Sequence, residues 1–184
     1  GNWDLAGTMI ALHGYPLNVV VDSFEPKRLN DAIQALRVAK GVKIIPVEVA
    51  GRKVLQALRN NEILGLLIDR PTNREAGVPV RLFGGTCYLP GGAATLALKT
   101  GAPVLPGYVI RKPDNTFEGR IAPAIDFEPT GNFESDVQRF TQLIVDHLSE
   151  YVRQYPDQWF VFRELWPKED QASYLWKDRA PSVC

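Results

Sequence analysis

Thiols are scarce in this chain. Its two cysteines, Cys87 and Cys184, give neither a metal-binding spacing nor a disulfide framework, so they read as reduced thiols of a cytosol-facing protein. There is also no surplus of charge: 21 Lys and Arg stand against 21 Asp and Glu. The electrostatic footprint of a nucleic-acid partner is missing. No apolar run approaches the roughly 18 residues that cross a bilayer. The richest stretch, residues 93–110, is broken by Lys99, Gly101, Pro103 and Pro106. No signal peptide is visible in these residues, and neither an internal repeat nor an interdomain linker appears in them. So are the G-x-x-x-x-G-K-[ST] phosphate loop and the G-x-S-x-G elbow of α/β hydrolases. No cofactor or metal is predicted.

What is present is an ordinary globular composition, 45% hydrophobic and 23% charged over 184 residues, enough for one domain with a substantial core. Residues 5–12 form a short apolar helix. Residues 17–21 and 42–46 are β-branched strands. Residues 26–40 make a helix with Pro26 in its first turn, Gly41 at its end, and Leu29, Ile33 and Leu36 on its apolar face. Another helix covers 51–60. Residues 62–68 hold an unbroken apolar run, the pattern of a strand buried on both faces of a parallel sheet. A polar loop spans 69–78, and a small-residue helix follows Pro90-Gly91-Gly92 over 93–100. Strands cover 103–110 and 116–125, and a long amphipathic helix runs over 133–151. Alternating strands and helices predict an α/β layer fold with a central, mostly parallel sheet flanked by helices. Residues 1–167 read as the domain and 168–184 as a polar tail. Ligands of open α/β sheets sit beyond the carboxyl ends of strands, which points at Asp69 and Arg70.

Three places carry possible chemistry. Asp4, before an apolar run, is a helix N-cap on spacing alone. Arg37 lies only about 40° round from Ile33 on the helix. A guanidinium there either snorkels at the core edge or has a partner or ligand. Asp69-Arg70 ends the best strand, and its plain reading is a solvated pair at a turn. Arg74 and Glu75 follow in the same loop.

The segment Gly1-Asn2-Trp3-Asp4 resembles the acid half of the H-x-x-x-x-D/E motif of lysophospholipid-type acyltransferases. Its Gly-Asn-Trp interior is similar to the lipid A biosynthesis branch, and Asp in place of Glu is closer to the phosphatidylinositol mannoside acyltransferases. Further blocks follow in the family's order: Arg37 with Gly41 and Pro46, Ile68-Asp69-Arg70-Pro71, Leu82-Phe83-Gly84-Gly85, Gly101-Ala102-Pro103-Val104-Leu105-Pro106 and Pro156-Asp157-Gln158-Trp159. The resemblance runs from Gly1 to about Pro167. It places the histidine two residues ahead of Gly1, and His13 and His147 do not stand at that spacing. The sequence therefore reads as a piece whose N-terminal part is absent, inactive by itself.

The resemblance implies a glycerol-3-phosphate-acyltransferase-like fold and a reaction without a covalent enzyme intermediate. A histidine removes the proton of a lipid hydroxyl that attacks an acyl thioester, and Asp4 orients the imidazole. Arg37, Asp69, Arg70 and Glu75 are the implied acceptor contacts. Asp69 could hold the helix arginine or a polar part of the acceptor. Acyl-carrier protein or acyl-CoA is the implied donor, and a membrane glycolipid, lipid A-type lipid or lysolipid the acceptor. The implied place is the cytoplasmic face of the bacterial inner membrane, bound peripherally. The alternative is a non-catalytic lipid-binding protein that keeps the fold.

Overall fold

Two β-α steps build the first layer of the computed structural model, which describes residues 2–166. In chain order the elements are α1 (Trp3–Leu12), β1 (Leu17–Val21), α2 (Lys27–Ala39), β2 (Lys43–Pro46), α3 (Ala50–Arg59), β3 (Ile63–Gly65), β4 (Val78–Leu82), β5 (Gly85–Leu89), α4 (Gly92–Thr100), β6 (Gly107–Arg111), β7 (Phe117–Ile121) and α5 (Phe133–Gln154). Single 3-10 turns occupy Val47–Val49 and Pro156–Gln158. The tail expected from Lys168 onward lies outside the described residues.

β1 pairs in parallel with β2 on one side and β3 on the other. The predicted α/β alternation and parallel pairing therefore hold here, but the parallel sheet has only three strands. The other four strands pair as two antiparallel hairpins, β4–β5 and β6–β7. The apolar run after residue 62 also departs from expectation. It leaves the sheet after Gly65, and Leu67 is 44% exposed. As an edge strand β3 has a neighbour on one side only, while Ile68 turns away to pack beneath α4. At the start of the sheet, buried Asn18 of β1 donates to Glu62 Oε2 at 2.7 Å. Lys43 of β2 meets the other Glu62 oxygen at 2.7 Å. One carboxylate thus ties together the starts of three strands.

The β4–β5 hairpin occupies a stretch in which no strand was predicted. Its tip, Phe83-Gly84, has both φ angles positive (51° and 88°), the two-residue turn that matches the twist of paired strands. Val80, Leu82, Cys87 and Leu89 point inward against Val145 of α5. Burial pushes the Cys87 thiol up to about 11, which makes it inert. The free edge of β4 is closed from the side. Gln142 of α5 accepts from the Arg81 backbone N–H at 2.8 Å and donates to its carbonyl at 3.0 Å. Pro79, two residues earlier on that edge, has no N–H to offer. Gln158 grips Arg111 at the end of β6 in the same two-point manner, at 2.8 and 2.9 Å.

The hairpin, α4 and α5 meet at Gly91, the N-cap of α4. A methyl group there would lie 2.6 Å from Val78 Cγ2 and 3.3 Å from Val137 Cγ1. Gly91→Ala is expected to cost about 1–3 kcal/mol through overpacking, read as a lower urea midpoint at constant m. A variant as stable as the parent would mean that the hairpin shifts freely on α5. Beyond Gly91, Ala94 and Ala97 let α4 approach Phe140 and Ile144 closely.

The stripe predicted to bury α2 does not do so. Leu29 and Leu36 are 50% and 64% exposed, and no α2 residue is fully buried. Ile33, between them on the stripe, is only half-buried. The helix is held at its end instead, through Arg37.

Candidate functional site

Asn2, not Asp4, caps α1. Asn2 is extended (φ −111°, ψ 102°) and its side chain accepts from the Leu5 N–H at 3.1 Å. This shifts the helix start forward to Trp3 and places Asp4 inside the first turn, where the helix dipole favours its charge. Its carboxylate is then free for another task.

Arg37, near the end of α2, takes up one half of that carboxylate. Its Nε donates to Asp4 Oδ1 at 2.8 Å, and another guanidinium nitrogen donates to Gln34 Oε1 at 3.0 Å. The guanidinium lies 5.0 Å from the centroid of the Trp3 ring. The Arg37 side chain is 14% exposed and that of Asp4 46%. An ion pair with one partner so open to water adds only about 0–1 kcal/mol to stability, so its main effect is orientation. Asp4 Oδ2 has no partner among the described residues. The result is a half-exposed carboxylate pinned at one oxygen. Arg37 thus has a side-chain partner in Asp4. Trp3 and Gln34 complete the cluster, and sequence reasoning had given neither a role.

Asp69 does not meet Arg37. It accepts from the Trp159 indole N–H at 3.1 Å, because the chain turns toward α4 after Gly65 while Asp4 occupies the arginine. Arg70 and Glu75 are exposed and without partners among the described residues, and Arg74 lies 5.9 Å from the Tyr88 ring centroid. The loop itself is anchored. Thr72 N–H donates to the Tyr88 carbonyl at 2.9 Å, and Asn73 accepts from Ala76 N–H at 2.9 Å. The predicted site residues thus fall into two clusters, Asp4 with Arg37 and Asp69 with its loop, and among the described residues no hydrogen bond or ion pair joins them. Trp159 was missed as a partner of Asp69, since no local rule links residues 90 positions apart.

His13 Nδ1 hydrogen-bonds the Met9 carbonyl at 2.7 Å at the end of α1, away from Asp4. Among the described residues no three His, Cys, Asp or Glu side chains gather closely enough to hold a metal ion. No helix there is long and apolar enough to cross a membrane.

In this α/β protein α1 thus presents a carboxylate held by an arginine of the neighbouring helix. Sequence comparisons show the family to which the chain belongs. The model of the family described as bacterial lipid A biosynthesis acyltransferase matches residues 1–168, and the chain belongs to that family. Among characterised proteins it is similar to the phosphatidylinositol mannoside acyltransferase of Mycobacterium tuberculosis (strain CDC 1551 / Oshkosh), 29% identical over 175 residues. That match covers 90% of this chain and 52% of the relative. The protein of the same name from Mycolicibacterium smegmatis is 27% identical over 175 residues, covering 90% of this chain and 54% of the relative. The chain spans about half the length of these curated relatives.

Proposed function

We propose that this chain carries the acid half and the acceptor loop of an O-acyltransferase. The enzyme moves a fatty acyl group from acyl-carrier protein or acyl-CoA to a hydroxyl of a membrane glycolipid. The observation that carries the reading is the Asp4 carboxylate, pinned at Oδ1 by Arg37 and open at Oδ2. An imidazole five positions ahead of Asp4, in the H-x-x-x-x-D spacing, would present a ring N–H to Oδ2 and use its other nitrogen as the base. That nitrogen takes the proton of the acceptor hydroxyl as the oxygen attacks the thioester carbonyl. The tetrahedral intermediate collapses, the carbon–sulfur bond breaks, and the proton passes to the departing thiolate. The carboxylate keeps the tautomer and steadies the imidazolium.

Asp69 and Arg70, at the exit of β3, and Glu75 in the anchored loop receive the polar part of the acceptor. The unpaired Arg70 guanidinium suits a phosphate, to which it can donate two parallel hydrogen bonds. The names of the relatives favour a mannosylated phosphatidylinositol as acceptor, and the proposed place of reaction is the cytoplasmic surface of the plasma membrane, with the protein bound peripherally. The test is an assay of the full natural protein with acyl-CoA and with acyl-carrier protein as donors and detergent-solubilised phosphatidylinositol mannosides as acceptors, read by mass spectrometry. Acylated glycolipid is the expected product. Thioester consumption without any lipid product, or no consumption from either donor, would overturn the reading.

A further inference from the structure

The turn Pro156–Gln158 after α5 does more than end the helix. It brings Trp159 to the junction of the Asp69 loop, the β4–β5 hairpin and α5. The indole N–H reaches Asp69 Oδ2 at 3.1 Å, beyond the end of β3. The indole ring meets Phe83, the tip of the β4–β5 hairpin, edge to face at 5.9 Å and 65°. The Arg153 guanidinium of α5 covers Phe83 at 5.6 Å. Just before it, Gln158 holds both backbone groups of Arg111, which fixes where the turn stands.

Phe83 is an unexpected residue for its place. Its φ of 51° lies in the left-handed region, where Asn, Asp or Gly fit and a bulky side chain does not. Strain of this kind persists only where the surroundings hold it, and it marks positions whose side chain is needed. Here the ring is clasped between Arg153 and Trp159. A smaller turn residue would relieve the backbone but leave the indole unsupported.

We propose that Trp159 is a positioning residue for the acceptor site. Its indole N–H fixes the Asp69 carboxylate, and with it the Asp69-Arg70 step, in the orientation that meets the acceptor, while Phe83 backs the ring. This rests on the reading of Asp69 as an acceptor contact. One oxygen of Asp69 accepts from the indole and the other remains for a hydroxyl of the headgroup, so the bond selects one carboxylate rotamer and leaves an acceptor free.

The test uses the 184-residue chain, with dioctanoyl phosphatidylinositol below its micellar concentration as the probe. Trp159→Phe keeps an aromatic ring against Phe83 and removes only the N–H. It is expected to weaken binding about fivefold to tenfold. Asp69→Ala is expected to weaken it at least as much, and the double variant to bind no more weakly than Asp69→Ala alone, because the indole acts through the carboxylate. With Trp159 intact, its indole ¹H–¹⁵N cross-peak should move upfield and exchange faster with solvent in Asp69→Ala. That signature needs no Trp159 variant to fold. Losses that add in the double variant, or a Trp159→Phe chain that binds like the parent while Asp69→Ala does not, overturn the positioning role alone. An Asp69→Ala chain that binds like the parent overturns the acceptor reading of Asp69, and the positioning role with it.

Discussion

Asp4→Ala is expected to abolish acyl transfer in the enzyme that carries the histidine of the H-x-x-x-x-D pair, by on the order of 10³-fold or more. The melting temperature should stay within a few degrees of the parent. The two halves of this expectation come from different features. The carboxylate is partly open to water and its pairing with Arg37 is worth little to the fold. Asn2 makes the helix cap and remains when Asp4 is replaced. On the proposed mechanism, what is lost is the acceptor that holds an imidazole in one tautomer. Arg37 would be left with Gln34 and the Trp3 ring as neighbours, and it brings no replacement for a carboxylate. The measurement is initial-rate transfer at saturating donor and acceptor, beside a thermal melt. Turnover within tenfold of the parent would remove Asp4 from the mechanism. A collapsed melt would reassign it to the fold.

Asp136→Asn is expected to be the most damaging isosteric change among the buried polar residues, lowering the melting temperature by on the order of 10 °C at neutral pH. Asp136 lies in the first turn of α5 and is 2% exposed. It accepts from Thr130 N–H through both oxygens at 3.0 and 2.9 Å. It also accepts from the Thr130 hydroxyl at 2.8 Å, from Gly131 N–H at 3.1 Å and from Arg139 at 3.0 Å. An amide presents a nitrogen to donors and strands part of this set. Burial alone pushes the carboxyl up, but the backbone N–H of Thr130, its hydroxyl, Gly131 N–H and Arg139 outweigh it, and the net shift is downward from 3.8. A carboxyl whose folded value is depressed adds stability above its unfolded value and loses it as pH falls through the folded value. The gap between parent and Asp136→Asn should therefore be full at neutral pH, narrow below about pH 3.8 and close in stronger acid. Melts across that range decide it. A gap that widens on acidification would show that the depressed carboxyl is not its source.

Where local pattern decides structure, the sequence was legible. α5 keeps apolar residues at three- and four-residue steps, and Phe140, Ile144 and Tyr151 are buried as that spacing requires. β1 and β2 follow from β-branched runs between turn residues. The β4–β5 hairpin was less visible because its period-two signal is disguised. Val78, Val80 and Leu82 alternate with Pro79 and Arg81, but a proline argues against a strand unless the strand has a free edge. That edge is known only once Gln142, some sixty residues later, is placed. α2 shows the opposite failure. Its apolar stripe is clear, yet periodicity says only that a face is apolar, not that another element covers it. At the site, the sequence offered Asp69 as the carboxylate for Arg37, whereas the structure gives Arg37 to Asp4, a choice that packing makes. Asp69 went to Trp159 because β3 ends at Gly65. The four-point clasp of Asp136 follows from the fold of the segment ahead of α5, which no spacing rule describes.

The two glutamines on the hairpin rims bear on how molecules of this protein behave when crowded. A two-stranded ribbon with a bare outer rail offers vacant rungs, and a neighbouring molecule can add its own strand there and begin a fibre. On β4 the rung at Pro79 lacks its peg, and the one at Arg81 is already filled by a side chain of the same molecule. At Arg111 a second side chain fills the last rung of the other ribbon. Side-chain amides from within the chain thus occupy rungs of β4 and β6 that a neighbouring strand could otherwise take.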